Sequence, residues 1–291
     1  MPSVSVLVTV YNREAFLEET LKSILGSTFT NYEVIVVDDY SSDDSLSIAK
    51  RIAEEDNRVR VFCNKKNLGD YGNRAKAASL AQGKYIKYVD SDDLIYPHSL
   101  AIMVESMEKY PDAALALSHS MPDDESPYPW CLSSKAAYRK HFLGRGCISC
   151  GPTGAIIKRE AFEALEGFNK SWDILSDIDL WLRLSAQWPL VLLPPSLVWW
   201  RRHGEQEFTK NDAETVYLRR GYELDMEALM NTDCPLSLCN RDEAIARRRQ
   251  HFARRLISLA FRKHELQLAQ RIYSESNITL VDLIKGFAPY Q

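Results

Sequence analysis

The strongest constraint on this chain is a rhythm in its first third, where short β-branched runs alternate with amphipathic helical segments. "VSVLVTV", Val4 to Val10, leads to "EAFLEETLKSILG", whose Phe16, Leu17, Leu21, Ile24 and Leu25 fall on one helical face before Gly26. "YEVIVVDD", Tyr32 to Asp39, follows, then "DDSLSIAKRIAEED" with Leu46, Ile48, Ala49, Ile52 and Ala53 as its apolar stripe. "VRVF", Val59 to Phe62, a helix predicted over about Asn73 to Gln82, and "KYIKYVD" complete the series. Near-continuous Val and Ile runs leave no polar face, so the pattern predicts an α/β fold with a mostly parallel sheet covered by helices on both sides.

In such sheets ligands bind beyond the carboxyl ends of the strands, and this chain keeps its polar residues there. Thr9, Tyr11 and Asn12 follow the first run, Asp38 and Asp39 end the second, and Asp90, Asp92 and Asp93 close the last. Carboxylates this close repel one another, and burial makes their ionisation costlier still, so a cation is the natural neutraliser. Mg²⁺ or Mn²⁺ suits oxygen ligands, and a diphosphate would complete its coordination. Taken alone, the aspartates could equally cap the next helix from a solvated loop. Their company at neighbouring strand ends favours the ligand site. A dinucleotide fold would need a Gly-rich turn after the first strand, and "LVTVYNREAF" contains no glycine. No GxxxxGK[ST] phosphate cradle occurs either, which leaves neutralisation of a diphosphate to metal and side chains.

From about Pro111 the pattern loosens. "AALALSHS" reads as a strand, "PDDESPYPW" as a Pro-rich loop, and "SCGPTGAIIKREAFEAL" as a Gly-rich turn before a strand and helix. "SDIDLWLRLSAQ" starts a helix near Ser176 or Asp177, and "LVLLPPSLVWWRRHG" is a strand interrupted by prolines. Asp212 to Gln291 reads as helices. A content of 45% hydrophobic and 26% charged residues is that of an ordinary globular protein. A net charge of -4 with pI near 5.9 gives no global basic field, which argues against general nucleic-acid binding. The six cysteines are scattered and the chain opens without a basic, apolar leader, so a reducing, cytoplasmic compartment is expected. Cys147 and Cys150 have metal-ligand spacing but lack a second pair, which leaves free thiols as the simpler reading. No apolar run reaches the ~20 residues that span a bilayer.

About the first hundred residues resemble a family 2 glycosyltransferase of the GT-A fold, through "VSVLVTVYN", "VIVVDDYSSDDS", "NKKNLG" and "AQGKYIKYVDSDDLIYP". The similarity continues more loosely through "GPTGAIIKREAFEALEGF", "SDIDLWLRL" and "WRRHG", covering about two thirds of the chain. It implies that Thr9, Tyr11, Asp39, Asn67 and Asp90 hold the nucleoside, Asp39 at the base edge and Asp90 against the ribose. In the Asp-x-Asp pattern Asp92 would coordinate Mn²⁺ or Mg²⁺, with His203 as a further ligand. Asp93 and Arg201 would face the transferred sugar and its phosphates. The family carries an acidic pair, usually Glu-Asp, before a helix of the "LWLRL" kind, and its Asp is the base; here Asp177 falls at that position and Ser176 replaces the Glu. Asp179 lies two residues on, off that face of a helix, and is placed to support Arg183 one turn later. Asp177 as a helix N-terminal acid favoured by the dipole is the plain alternative.

These readings predict transfer of a hexosyl or N-acetylhexosaminyl group from a nucleotide-diphosphate donor, a UDP-sugar, to a glycan or lipid-linked hydroxyl, with metal assistance and inversion. A nucleotidyltransferase and a non-catalytic sugar-nucleotide-binding protein are the rival readings. Residues 1–105 would form the nucleotide-sugar half of the GT-A domain, 106–210 the acceptor half, and 211–291 a helical extension. Trp172, Trp181, Trp188, Trp199 and Trp200 are candidates for sugar stacking, though most fit core or groove wall. In "NRDEAIARRRQHFARRLISLAFRKHE" a run of arginines faces Leu256, Ile257, Leu259, Ala260 and Phe261. That pattern permits a helix lying on the inner face of an anionic membrane, while a solvated helix packed on the catalytic domain is the favoured reading.

Overall fold

The computed structural model describes residues 1–118, 125–204, 213–262 and 264–287. Two compact units divide the chain: Met1–Ala137 with Cys147–His203, and Tyr138–Gly146 with Gly204–Gln291. The first opens with β1 (Val4–Val10), α1 (Leu17–Leu25), β2 (Tyr32–Asp38), α2 (Ser45–Glu55), β3 (Val59–Cys63), α3 (Asp70–Ala78) and β4 (Tyr85–Tyr88). It continues through β5 (Leu94–Ile95), α4 (Ser99–Lys109), β6 (Leu115–Ser118), β7 (Trp130–Leu132) and α5 (Ser134–Leu143), whose last turns belong to the second unit. Then come β8 (Ala155–Lys158), α6 (Arg159–Ala164), α7 (Ser176–Gln187), β9 (Leu190–Leu193) and β10 (Val198–Trp199).

Eight strands form one sheet in the order β3-β2-β1-β4-β8-β6-β9-β7, while β10 and β5 make a separate pair. The β3-β2-β1-β4 half is parallel throughout, with Val4 opposite Tyr32 on one side and Tyr85 on the other. The second half is mixed, because β8 runs antiparallel to both β4 and β6. Every residue of β2 is buried, as a strand covered on both faces requires. α1 buries Leu17, Leu21 and Ile24, carries Glu18 and Glu19 in its first turn where the dipole favours acids, and ends at Gly26. Each such fully buried aliphatic side chain contributes about 1.5–3 kcal/mol.

α3 departs from its predicted span, starting at Asp70 and ending at Ala78. Its buried positions include the polar Asn73 and Arg74, so apolar periodicity marks it poorly. Parts of the segments read as a strand at "AALALSHS" and a loop at "PDDESPYPW" lie outside the described residues.

The second unit contains α8 (Ala213–Met230), α9 (Leu238–Phe261), α10 (Leu266–Glu275) and α11 (Leu280–Gly286). Its core gathers Tyr222, Met226, Phe252, Leu256, Leu259 and Ile272, with the Tyr222 and Phe252 rings stacked 4.2 Å apart. The arginines of α9 are engaged inside the unit. Arg247 donates to the Leu143 carbonyl, Arg248 to that of His141 and Arg254 to that of Gly286, at 2.8, 3.1 and 3.1 Å. These carbonyls lie in the last turns of α5 and α11, where helices leave acceptors unpaired. The structure therefore spends much of the basic side of α9 on packing. Among the described residues no helix is long and apolar enough to cross a membrane.

Candidate active site

Four elements converge at the carboxyl edge of the parallel strands. At the end of β1, Thr9 is partly buried and Tyr11 is 49% exposed. The Asp39 carboxylate beyond β2 is 2% exposed. It accepts from the Leu68 and Gly69 amides at 2.8 and 3.0 Å and from Asn64 Nδ2 at 2.8 Å. Asn67 Oδ1 also accepts from the Gly69 amide, at 2.8 Å. Gly69 has φ 76°, the conformation glycine adopts freely, which lets the loop fold over Asp39 before α3 begins. Asp39 and Asn67 thus form one cluster. Among the described residues, no hydrogen bond joins it directly to the acidic turn after β4.

In that turn each aspartate has different company. Asp90 accepts from Arg74 Nη2 at 2.8 Å, and Arg74 also reaches Asp70 through Nε at 2.8 Å. The third guanidinium nitrogen, Nη1, is buried without a hydrogen-bond partner among the described residues. Asp92 Oδ2 lies 2.9 Å from His203 Nε2 and 3.3 Å from Arg13 Nε. Asp93 is buried, accepting from the Thr153 hydroxyl at 2.9 Å and the Arg201 amide at 3.1 Å. Burial, then the neighbouring Asp90 carboxylate, pushes Asp93 up to about 8. Arg201 donates from Nε to the Asp92 carbonyl at 2.8 Å, and its guanidinium lies over Phe16 and Trp199 at 5.1 and 4.9 Å. The His203 ring packs on Phe16, with centroids 4.6 Å apart.

Asp177 sits in the first turn of α7, buried, with Oδ1 accepting from the Ile178 amide at 2.7 Å. Burial pushes it up to about 7; the Ile178 amide and Arg74 pull the other way, while Asp90 and Asp70 push further up. Arg74 therefore acts on Asp90 and Asp177 together. Ser176, in place of an acid, is buried and donates to the Asp173 carbonyl at 2.7 Å. Asp179 pairs with Arg183 at 2.7 Å, and Arg183 goes on to the Leu165 and Gly167 carbonyls, as the spacing predicts. The five candidate tryptophans separate: Trp181 and Trp172 are buried, Trp188 and Trp200 partly so, and Trp199 is 43% exposed.

Sequence reasoning missed Thr153, Lys87, Arg74 and Arg13. For Lys87 a signal existed: a strand covered on both faces leaves no solvent side for a lysine. Among the described residues, no three carboxylate, imidazole or thiol side chains form a ready metal cage. The Asp92 carboxylate matches the oxygen-donor chemistry of Mg²⁺ or Mn²⁺, whereas the His203 imidazole beside it would suit the transition ion Mn²⁺ and not Mg²⁺. Cys147 and Cys150 are buried free thiols.

In a doubly covered α/β sheet ligands bind beyond the carboxyl ends of the strands, which is where this chain gathers its acids. Residues 5–166 match the model of Glycosyl transferase family 2, and the chain belongs to that family. It is 31% identical over 185 residues to the putative glycosyltransferase EpsE of Bacillus subtilis, covering 62% of this chain and 66% of that protein. It is 34% identical over 106 residues to the GalNAc(5)-diNAcBac-PP-undecaprenol beta-1,3-glucosyltransferase of Campylobacter jejuni, 36% of this chain and 34% of that protein. The chain thus spans just under two thirds of the first relative and about a third of the second. Among solved structures, S. aureus TarS 1-349 in complex with UDP-GlcNAc superposes with TM-score 0.65 at 19% identity, covering 98% of this chain and 78% of that one. Mannosyltransferase PcManGT from Pyrobaculum calidifontis, in complex with GDP-Man and Mn2+, gives 0.66 at 18%, covering 97% and 78%. These likenesses establish the fold, a GT-A-type α/β sheet with C-terminal helices.

Proposed function

We propose that the protein transfers a sugar from a nucleoside diphosphate donor, a UDP-sugar, to a hydroxyl of a glycan or lipid-linked acceptor. The observation that carries this reading is the acidic turn at the carboxyl edge of the parallel strands, where Asp90 meets Arg74 at 2.8 Å beside the Asp92–His203 pair. Asp39 would read the base. Four contacts from the Asn64 side chain and the Leu68 and Gly69 amides already fix its two oxygens, so an imide N–H would share or displace one of them. Thr9, Tyr11 and Asn67 would line the nucleoside, Asp90 the ribose, and Asp93 and Arg201 the sugar and its phosphates. Asp92 and His203 would hold a divalent cation, which when bound neutralises diphosphate charge and eases departure of the leaving group.

The chemistry is a single displacement with inversion. The acceptor oxygen bonds to the anomeric carbon, the bond from that carbon to the diphosphate oxygen breaks, and the hydroxyl proton passes to Asp177. A carboxyl held near 7 by burial is suited to take a proton at neutral pH. Ligands that bind only the folded state raise its melting temperature, so a thermal-shift panel of nucleoside diphosphate sugars with and without Mn²⁺ tests the reading. Stabilisation by a UDP-sugar with Mn²⁺ supports it; no shift with any sugar nucleotide counts against it.

A further inference from the structure

Lys87 lies in the middle of the sheet, on β4 opposite Val6 of β1, and is 0% exposed. Its ammonium donates to the Tyr88 carbonyl at 3.0 Å and to the Thr153 carbonyl. No carboxylate pairs with it directly among the described residues; Cys150, Asp90 and Asp93 are the ionisable groups that act on it. An ammonium taken out of water with only carbonyls for company is costly. A leucine would fill the same layer without that penalty.

The partner at Thr153 shows what the ammonium does. Thr153 is fully buried in the 3-10 turn Pro152–Gly154 that enters β8. While its carbonyl takes the Lys87 ammonium, its hydroxyl donates to Asp93 Oδ2 at 2.9 Å and accepts from the Asp90 amide at 3.0 Å. One threonine thus ties β4, the turn before β8 and the acidic turn into a single unit. The Asp90 side chain has its own tie through Arg74, whereas among the described residues the Asp93 carboxylate is held by the Thr153 hydroxyl and the Arg201 amide.

We propose that Lys87 is a positioning residue for the sugar end of the donor site: by fixing the main chain at Thr153 it aims the threonine hydroxyl that holds Asp93. This rests on the donor reading given above. It predicts a split between ligands. Without the ammonium, Asp93 loses its orientation while Asp90, still held by Arg74, keeps its place against the ribose.

The test is calorimetry with Mn²⁺, comparing UDP with whichever of UDP-glucose, UDP-N-acetylglucosamine and GDP-mannose the unaltered protein binds best, or GDP if that sugar is mannose. Lys87→Met should weaken the sugar nucleotide about tenfold or more and change the free diphosphate less than about threefold. Thr153→Val, which removes the hydroxyl, should give the same split, and Thr153→Ser, which restores it, should not. A general packing defect would weaken both ligands alike, and that outcome overturns the proposal, as does Lys87→Met binding both normally. Should Lys87→Met fail to fold, the Thr153→Val and Thr153→Ser pair decides, since equal binding by the two refutes the route through the hydroxyl. If the unaltered protein binds no sugar nucleotide, the donor reading itself falls, and this proposal with it.

Discussion

In the first unit, charged side chains gather at one strand edge with more acids than bases; in the second, the arginines of α9 are spread among separate partners. Asp90, Asp92, Asp93 and Asp177 share Arg74, Arg13, His203 and the amide of Arg201, and burial holds Asp177 and Asp93 far above the usual carboxylate range. In the helical unit Arg248 meets Asp225 at 3.3 Å, Arg255 meets Glu214 at 3.1 Å, and Arg254 caps the end of α11. Spread pairs hold helices together. A crowded acidic group needs such cations, and protons on its most buried carboxyls, to offset its mutual repulsion, and among the described residues it also leaves Arg74 Nη1 buried without a hydrogen-bond partner.

Substitutions should therefore separate function from stability according to region. The largest effect is expected at Asp177: Asp177→Asn keeps size but removes the proton acceptor, so turnover should fall about 10²–10⁴-fold while calorimetry shows donor binding retained. Because the base must be ionised, turnover in the unaltered protein should climb as pH rises through about 7 and then level off. Asp39→Ala should cost about 1.5–3 kcal/mol of uridine diphosphate affinity and erase the preference over adenosine diphosphate, as read by competition calorimetry. Equal affinities in both proteins would remove Asp39 from the base edge.

Smaller effects should be effects on stability. Asp179→Asn leaves Arg183 short of its carboxylate and should lower unfolding stability by about 1–3 kcal/mol, with turnover changed far less than in Asp177→Asn. A dead Asp179→Asn beside an active Asp177→Asn would place the base two residues further on. In the second unit, burial pushes Asp225 up to about 6 and Arg248 pulls it down. A carboxyl raised in the folded state binds its proton more tightly there, so its contribution to stability falls as pH rises through that range. Arg248→Met should raise Asp225 further, and its loss in melting temperature should be greater at pH 8 than at pH 5. An equal loss at both pH values would show that the two side chains are not electrostatically linked.

Much of the candidate site's placement was legible because strand ends are local features. β1 matches its predicted span and β2 ends at Asp38, since unbroken Val and Ile runs have only one way to be covered. The Asp179–Arg183 pair followed from helical spacing alone. α3 was misplaced because its start depends on the Gly69 amide reaching Asp39, a contact thirty residues away, and its inner face is partly polar. Thr153 had no local mark, for its partners Asp90 and Asp93 lie 63 and 60 residues away. The arginines of α9 suggested a basic surface because their acceptors, carbonyls at the ends of other helices, are invisible in the sequence of α9 itself.

The acidic turn after β4 is expected to bind a nucleoside diphosphate together with a divalent cation. Calorimetric titration of UDP into the unaltered protein and into Asp92→Ala, each with Mn²⁺ and with excess chelator, tests it directly. Tight binding is expected only in the unaltered protein with Mn²⁺, with a loss on the order of 10²-fold on chelation or in Asp92→Ala while both proteins melt at similar temperatures. Binding that is equally tight in chelator and unaffected by Asp92→Ala would contradict it.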